Sequence, residues 1–157
     1  MDSILNKIQL PNLNLPTFEA NLLKKDGKIW IFDQLRKKNL VLTPEEWVRQ
    51  HWIHFLTYQL KFPKGLISLE KGIRYNNMQK RTDLVVFDVQ GAPYLLIECK
   101  APQVKLSNAT IEQACMYHKK LKTPFLIISN GLHHICLSYD SVKEQFQQEK
   151  DFPKPPN

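Results

Sequence analysis

Apolar positions recur at helical spacing in one early stretch and at strand spacing in several later ones. Val48, Trp52, Phe55, Leu56 and Gln59 fall at the helical interval and define an inward face. The run Thr43-Pro44-Glu45-Glu46 before them predicts the helix start: Thr43 as N-cap, Pro44 at the first helical position, Glu46 three after the cap. Phe62-Pro63-Lys64-Gly65 ends the helix at about Lys61. Upstream, Ile29–Asp33 and Asn39–Leu42 predict a strand pair around the basic turn Arg36-Lys37-Lys38. Downstream, strands are predicted over Leu66–Tyr75, Arg81–Val89 and Pro93–Lys100. A second helix runs from Ser107 or Asn108 to about Leu121, with Ile111, Ala114, Cys115 and Leu121 inward. Phe125–Ile128 and His134–Ser138 are two further strands, with Asn130-Gly131 turning between them. Ser141–Lys150 reads as a polar helix or frayed tail, and Asp151–Asn157, rich in proline, as disordered. The order helix, three strands, helix, two strands makes the fold class α/β, a mixed sheet flanked by helices. Residues 1–28 read as an N-terminal arm, 29–140 as one domain, and 141–157 as a C-terminal extension.

Composition narrows the picture. The 157 residues suit one domain, and 43% hydrophobic with 24% charged is ordinary for a globular chain. No apolar run is long enough to span a membrane, and the start lacks a secretory pattern, so a cytoplasmic protein without membrane contact is expected. Cys99, Cys115 and Cys136 are odd in number and widely spaced, which predicts reduced thiols rather than a disulfide framework or a zinc knuckle. A net charge of +7 favours a polyanionic partner, although charge alone is weak support. No phosphate-binding loop of the G-x-x-x-x-G-K-[ST] type is present, which excludes a motor driven by this chain's own ATP hydrolysis.

The chemistry sits on two apolar strands. Glu98 and Lys100 are two apart and share a face. If Gln90-Gly91 is a two-residue turn, Val89 pairs with Ala92 and Asp83 lies opposite Glu98, with Cβ atoms roughly 5 Å apart. A one-residue slip would send Asp83 to the other face. Two close carboxylates repel unless one is protonated or a cation neutralises them. Oxygen ligands with waters completing the shell are what Mg²⁺ prefers, and a neighbouring lysine can hold a water beside it. A satisfied, inert ion pair at a strand end is the competing interpretation. Gln113 and Tyr117 are spaced i, i+4 on the helix that follows, and Glu45 lies on the inward side at the tip of the first helix.

Other residues point less sharply. His51, His54, His118, His133 and His134 follow no metal-binding pattern, and Cys115 reads as packing. Trp30, Trp47 and Trp52 read more readily as core than as base-stacking groups. Arg36-Lys37-Lys38, Lys61 with Lys64, and Lys119-Lys120-Lys122 suit phosphate contacts and a solvated surface equally.

Asp83 followed by Glu98-Cys99-Lys100 resembles the PD-(D/E)xK nuclease signature, and Gln113-x-x-x-Tyr117 resembles the motif that follows it in RecB-like nucleases. Taken in order with Thr43–Gln50, Lys80–Asp83, Ala101-Pro102 and Ser129-Asn130-Gly131, the set is similar to the N-terminal domain of type I restriction enzyme R subunits, over about residues 29–140. The resemblance implies a restriction-endonuclease-like core and an Mg²⁺-dependent endonuclease (Mn²⁺ serving in vitro) that hydrolyses DNA phosphodiester bonds. It assigns Asp83, Glu98, the Cys99 backbone carbonyl and Glu45 to the metal. Lys100 goes to the attacking water, Gln113 and Tyr117 to positioning the lysine or the DNA backbone, and Arg81, Lys100, Gln113 and Tyr117 together to binding DNA. Thr82 stands where the signature has proline. The implied partners are DNA and either a second copy of the chain or a separate motor or specificity subunit. The rival expectation is a catalytically silent nucleic-acid-binding or adaptor domain of the same fold.

Overall fold

The structure, a computed structural model, describes residues 10–69, 72–75, 78–81 and 84–156; the side chains of 69–81 and of Tyr117, Lys120 and Leu121 are outside that description. Three short strands come first: β1 (Leu22–Lys25), β2 (Lys28–Asp33) and β3 (Lys38–Val41), an antiparallel sheet in the order β1-β2-β3. β2 and β3 are the predicted pair. β1 begins inside the stretch read as an arm, because Asp26 and Gly27, both at positive φ, make the tight turn that folds it back. Before it, Leu15 is buried in the main core, Asn14 N–H donates to Gly131 O at 2.7 Å, and Phe18 stacks on His54.

Helix α1 (Pro44–His54) starts where the sequence predicts, with Thr43 Oγ1 accepting from Glu46 N–H at 3.0 Å. Its last turn widens into a π-helical turn over Phe55–Gln59, where Leu60 N–H reaches back to Phe55 O at 3.0 Å. The extra residue rotates the chain, so Gln59, expected inward, is exposed, while Val48, Trp52, Ile53 and Leu56 are fully buried.

The central sheet has six strands in the order β11-β10-β9-β8-β7-β4. They are β4 (Ile67–Leu69), β7 (Leu84–Phe87), β8 (Pro93–Cys99), β9 (Phe125–Ser129), β10 (His134–Asp140) and β11 (Gln145–Glu149). β8 and β9 are parallel, joined by helix α2 (Asn108–Leu121), and every other neighbour pair is antiparallel. The Leu66–Tyr75 strand of the sequence reading is two: β4 at the sheet edge, and β5 (Gly72–Tyr75), which pairs with β6 (Met78–Arg81) in a separate ribbon. The Arg81–Val89 strand divides likewise into β6 and β7.

Each face of the sheet is covered. Val48, Trp52, Ile53 and Leu56 of α1 pack on Leu84, Val86, Leu95, Ile97 and Cys99. Ala114 of α2 packs with Val85, Leu96, Leu126 and Ile128 on the other side. The alternation along β7 and β8 thus splits odd from even positions between the two cores, as expected of strands buried on both faces.

Two expectations at the C-terminus are corrected. Ser141–Lys150 forms no helix; its centre is edge strand β11, paired with β10 from Cys136↔Glu149 to Asp140↔Gln145. Its polarity reflects a strand with solvent on one side, with Phe146 as the inward anchor. Residues 151–156 are ordered. Phe152 meets Trp52, Phe55 and His134 edge-on, and Lys154 O accepts from Tyr94 Oη at 2.6 Å. No helix among the described residues is long and apolar enough to cross a membrane.

Candidate functional site

β8 delivers the triplet Glu98-Cys99-Lys100 to the end of the sheet. Parallel pairing with β9 sets Glu98 opposite Ile128 and Cys99 opposite Ser129, and Lys100 N–H extends the ladder to Ser129 O at 2.7 Å. Alternation puts Cys99 in the α1 core and Glu98, like Leu96, on the α2 face. Lys100 Nζ lies 3.2 Å from Glu98 Oε1, with side-chain exposures of 31% and 14%. Glu98 Oε2 is buried and has no hydrogen-bond partner among the described residues. A buried polar atom left so costs about 1–3 kcal/mol and asks for an explanation.

The hairpin leading into β8 reaches the expected register by an unexpected route. The turn is not Gln90-Gly91 alone. Asp88 N–H donates to Ala92 O at 2.8 Å, Gly91 N–H donates to Asp88 O at 3.0 Å, and Gly91 sits at φ +86°. Asp88 Oδ1 accepts from the N–H groups of Gln90 and Ala92 at 2.9 Å each. This longer turn opposes Phe87 to Pro93, one residue off the expected pairing. A bulge between Val86 and Phe87 then restores it, giving Val86↔Leu95, Val85↔Leu96 and Leu84↔Ile97. Thr82 and Asp83, the next residues before Leu84, lie outside the described residues. Among the described residues no group of three or more His, Cys, Asp or Glu could hold a metal ion.

α2 lies over the Glu98 face. Ser107 caps it, Ala114 and His118 are buried, and Gln113 is exposed. Tyr117 is within the helix, its side chain outside the description. Burial, foremost, pushes the Cys115 thiol pKa up; Lys119 opposes the rise, and Glu112 and Glu98 add to it. Cys115 is therefore protonated at neutral pH, a packing residue within electrostatic reach of Glu98. Arg81 ends β6, paired with Gly72.

Glu45 stands apart from Glu98. It is exposed at the tip of α1, which packs on the Cys99 face, and its carboxylate is 3.9 Å from Arg49 Nη2. It lines a cleft of about 490 Å³ shared with Arg36, Val41, Arg49, Ala101 and Gln103. The cleft thus opens beside the segment that follows Lys100, while Glu98 and Lys100 are not in its lining.

Sequence reasoning missed the network behind this cleft. Glu46, read only as a cap, is 4% exposed and pairs with Arg49; its Oε1 accepts from Gln50 Nε2 at 3.0 Å. The same amide reaches Asp33 Oδ2 at 3.1 Å, and Asp33 Oδ1 accepts from Leu35 and Arg36 N–H. The available signal was the i, i+3 and i, i+4 spacing of Glu46, Arg49 and Gln50.

Ser129-Asn130-Gly131 is an anchoring turn. Asn130 Oδ1 accepts from Leu132 and His133 N–H, and its Nδ2 donates to Val104 O at 2.8 Å. Ser129 Oγ bonds His134 Nδ1 at 2.7 Å, and His134 Nε2 bonds Asn14 O at 2.8 Å. With the Lys100–Ser129 bond, this turn pins both ends of the segment after the triplet.

Residues 44–153, well over half of the chain, match the family described as type I restriction enzyme R protein N terminus (HSDR_N). Among solved structures, the chain is similar to a fragment assigned to the HsdR subunit of a type I restriction enzyme from Vibrio vulnificus YJ016. Identity is 22%, the TM-score is 0.41, and the overlap covers 57% of this chain and 19% of that one. The match therefore spans about a fifth of that fragment's length. No curated protein matches.

Proposed function

The chain belongs to the family of type I restriction enzyme R protein N termini, and from that premise we propose that it is the nuclease module of a restriction system, hydrolysing DNA phosphodiester bonds with Mg²⁺ on a PD-(D/E)xK core. The observation that carries this reading is Glu98 Oε2, a buried carboxylate oxygen without a partner among the described residues, on a residue whose other oxygen is 3.2 Å from the Lys100 ammonium. A hard divalent cation is the ligand such an oxygen suits. Asp83 and Glu98 would hold the ion, aided by the Cys99 carbonyl. The ion would act as a Lewis acid toward the phosphate oxygens and make a water bound to it easier to deprotonate.

The protein's own groups do the rest. Lys100 hydrogen-bonds and aims the attacking water at phosphorus, and its positive charge offsets the negative charge that develops on the phosphoryl oxygens. Gln113 and Tyr117 hold the lysine and the DNA backbone in place, and Arg81 adds a phosphate contact. DNA delivery would fall to a motor or specificity subunit or to a second copy of the chain.

Cleavage of supercoiled and linear DNA with Mg²⁺ or Mn²⁺ tests the reading. The wild-type chain nicks or cuts, and Lys100→Ala binds DNA normally while losing at least about a hundredfold in rate. If wild type and Lys100→Ala bind alike and neither cuts, even with a DNA-engaging partner supplied, the chain is a silent binding domain of the same fold.

A further inference from the structure

We propose that the outer face of the β1–β3 sheet is a platform for a single-stranded polynucleotide. This sheet lies outside the residues matched to the family, and the proposal does not rest on the nuclease reading.

Strand alternation sorts its side chains cleanly. Ile31 and Asp33 are fully buried beneath β2, whereas Phe32 is 37% exposed. Trp30, partly exposed, shares the Phe32 side, and pairing sets Val41, also 37% exposed, opposite Trp30 and Asn39 opposite Phe32. Lys25 and Lys28 pair at the end of the same face. The sheet therefore turns two partly exposed aromatic rings to the face opposite Ile31 and Asp33.

The charges around these rings are one-sided. Residues 22–41 carry Lys24, Lys25, Lys28, Arg36, Lys37 and Lys38 against Asp26 and the buried Asp33. They fall in two groups, one at each end of a sheet whose longest strand, Lys28–Asp33, measures roughly 20 Å. Rings between two basic ends suit a chain that alternates flat bases with phosphates. The span has room for about two or three stacked bases, as on other base-stacking sheets. A duplex keeps its base faces stacked inside and offers nothing to Phe32. A protein partner is the poorer fit, because lysine is depleted where proteins dock. The platform is also continuous with the cleft at the tip of α1: Arg36, Leu40 and Val41 line that cleft, which ends at Ala101 and Gln103, just past Lys100.

The test is binding of the full chain, in EDTA, to fluorescein-labelled oligothymidylate and oligouridylate of about twelve nucleotides and to a blunt duplex. Phe32→Ala weakens single-strand binding about tenfold, and Phe32→Tyr restores it. Lys25→Ala with Lys28→Ala flattens the slope of log affinity against log salt by about 1.4. The duplex is insensitive to Phe32→Ala, and the two oligonucleotides separate DNA from RNA as the strand bound. Equal affinity of all variants overturns the proposal, as does wild-type affinity for the duplex equal to that for the strand. A monomer–dimer equilibrium abolished by Phe32→Ala, with no oligonucleotide bound, overturns it in favour of self-association. Because binding is read in EDTA, where a metal-dependent cleavage cannot proceed, failure of cleavage and failure of the platform are read separately.

Discussion

Glu98 carries the most information of any single residue. Its position on a face with Lys100 follows from strand alternation alone, and the two side chains do meet at 3.2 Å. Its buried Oε2, unpartnered among the described residues, could not be read from sequence, because it depends on α2 closing over the strand. A divalent ion bound there stabilises the native state by mass action, by about 2.7 kcal/mol at a hundredfold excess over the dissociation constant. Mn²⁺ is therefore expected to raise the melting temperature of the wild-type chain by about 5 °C or more and to leave Glu98→Gln unmoved, as differential scanning fluorimetry would record. Gly131 gives a purely structural counterpart. At φ +85°, a Cβ here would lie 2.9 Å from Leu13 Cδ2 and 3.1 Å from Val48 Cγ2, so both side chains would have to shift to admit it. Gly131→Ala should lower stability by about 2–4 kcal/mol in urea titration, from left-handed strain and overpacking together.

Among the elements, the β7–β8 hairpin shows how a right register can come from wrong turn chemistry. The sequence suggests a two-residue turn at Gln90-Gly91; Asp88 instead draws in Gln90 and Ala92, and the one-residue offset is cancelled by the bulge beside Phe87. Bulges have no reliable sequence signature, so the agreement over Leu84–Val86 was not earned by the turn. The central strands and both helices were legible because apolar periodicity marks buried faces. β11 was not, because an edge strand buries only one side and its Gln-rich pattern mimics a polar helix. The tail after it was read as disordered from its prolines, yet Phe152 closes over Trp52 and Phe55. Phe152→Ala should cost about 2–3 kcal/mol with an unchanged urea m-value, somewhat less than a fully buried phenylalanine. No loss would show that the tail is dispensable.

Across the whole molecule, buried histidines tie stability to pH. His51, His118 and His134 have pKa values held below the ordinary imidazole value by burial, and His54 by burial and then by His51 and Lys64. Each stays neutral in the native state at pH values where the unfolded chain takes up a proton. Their contribution is complete above about pH 6.5 and shrinks as pH falls from there toward the lower folded values. The urea midpoint should therefore be lower at pH 5.5 than at 7.5; a midpoint that does not move would remove these histidines from the balance. At the end of β8, the proposed chemistry requires one ion held by two carboxylates. Calorimetric titration of Mn²⁺ into the wild-type chain, Asp83→Asn and Glu98→Gln addresses that requirement most directly. Saturable binding in the wild type that is lost in both variants is the predicted result; a wild-type chain that binds no ion, or variants that bind as well as it does, would contradict the account.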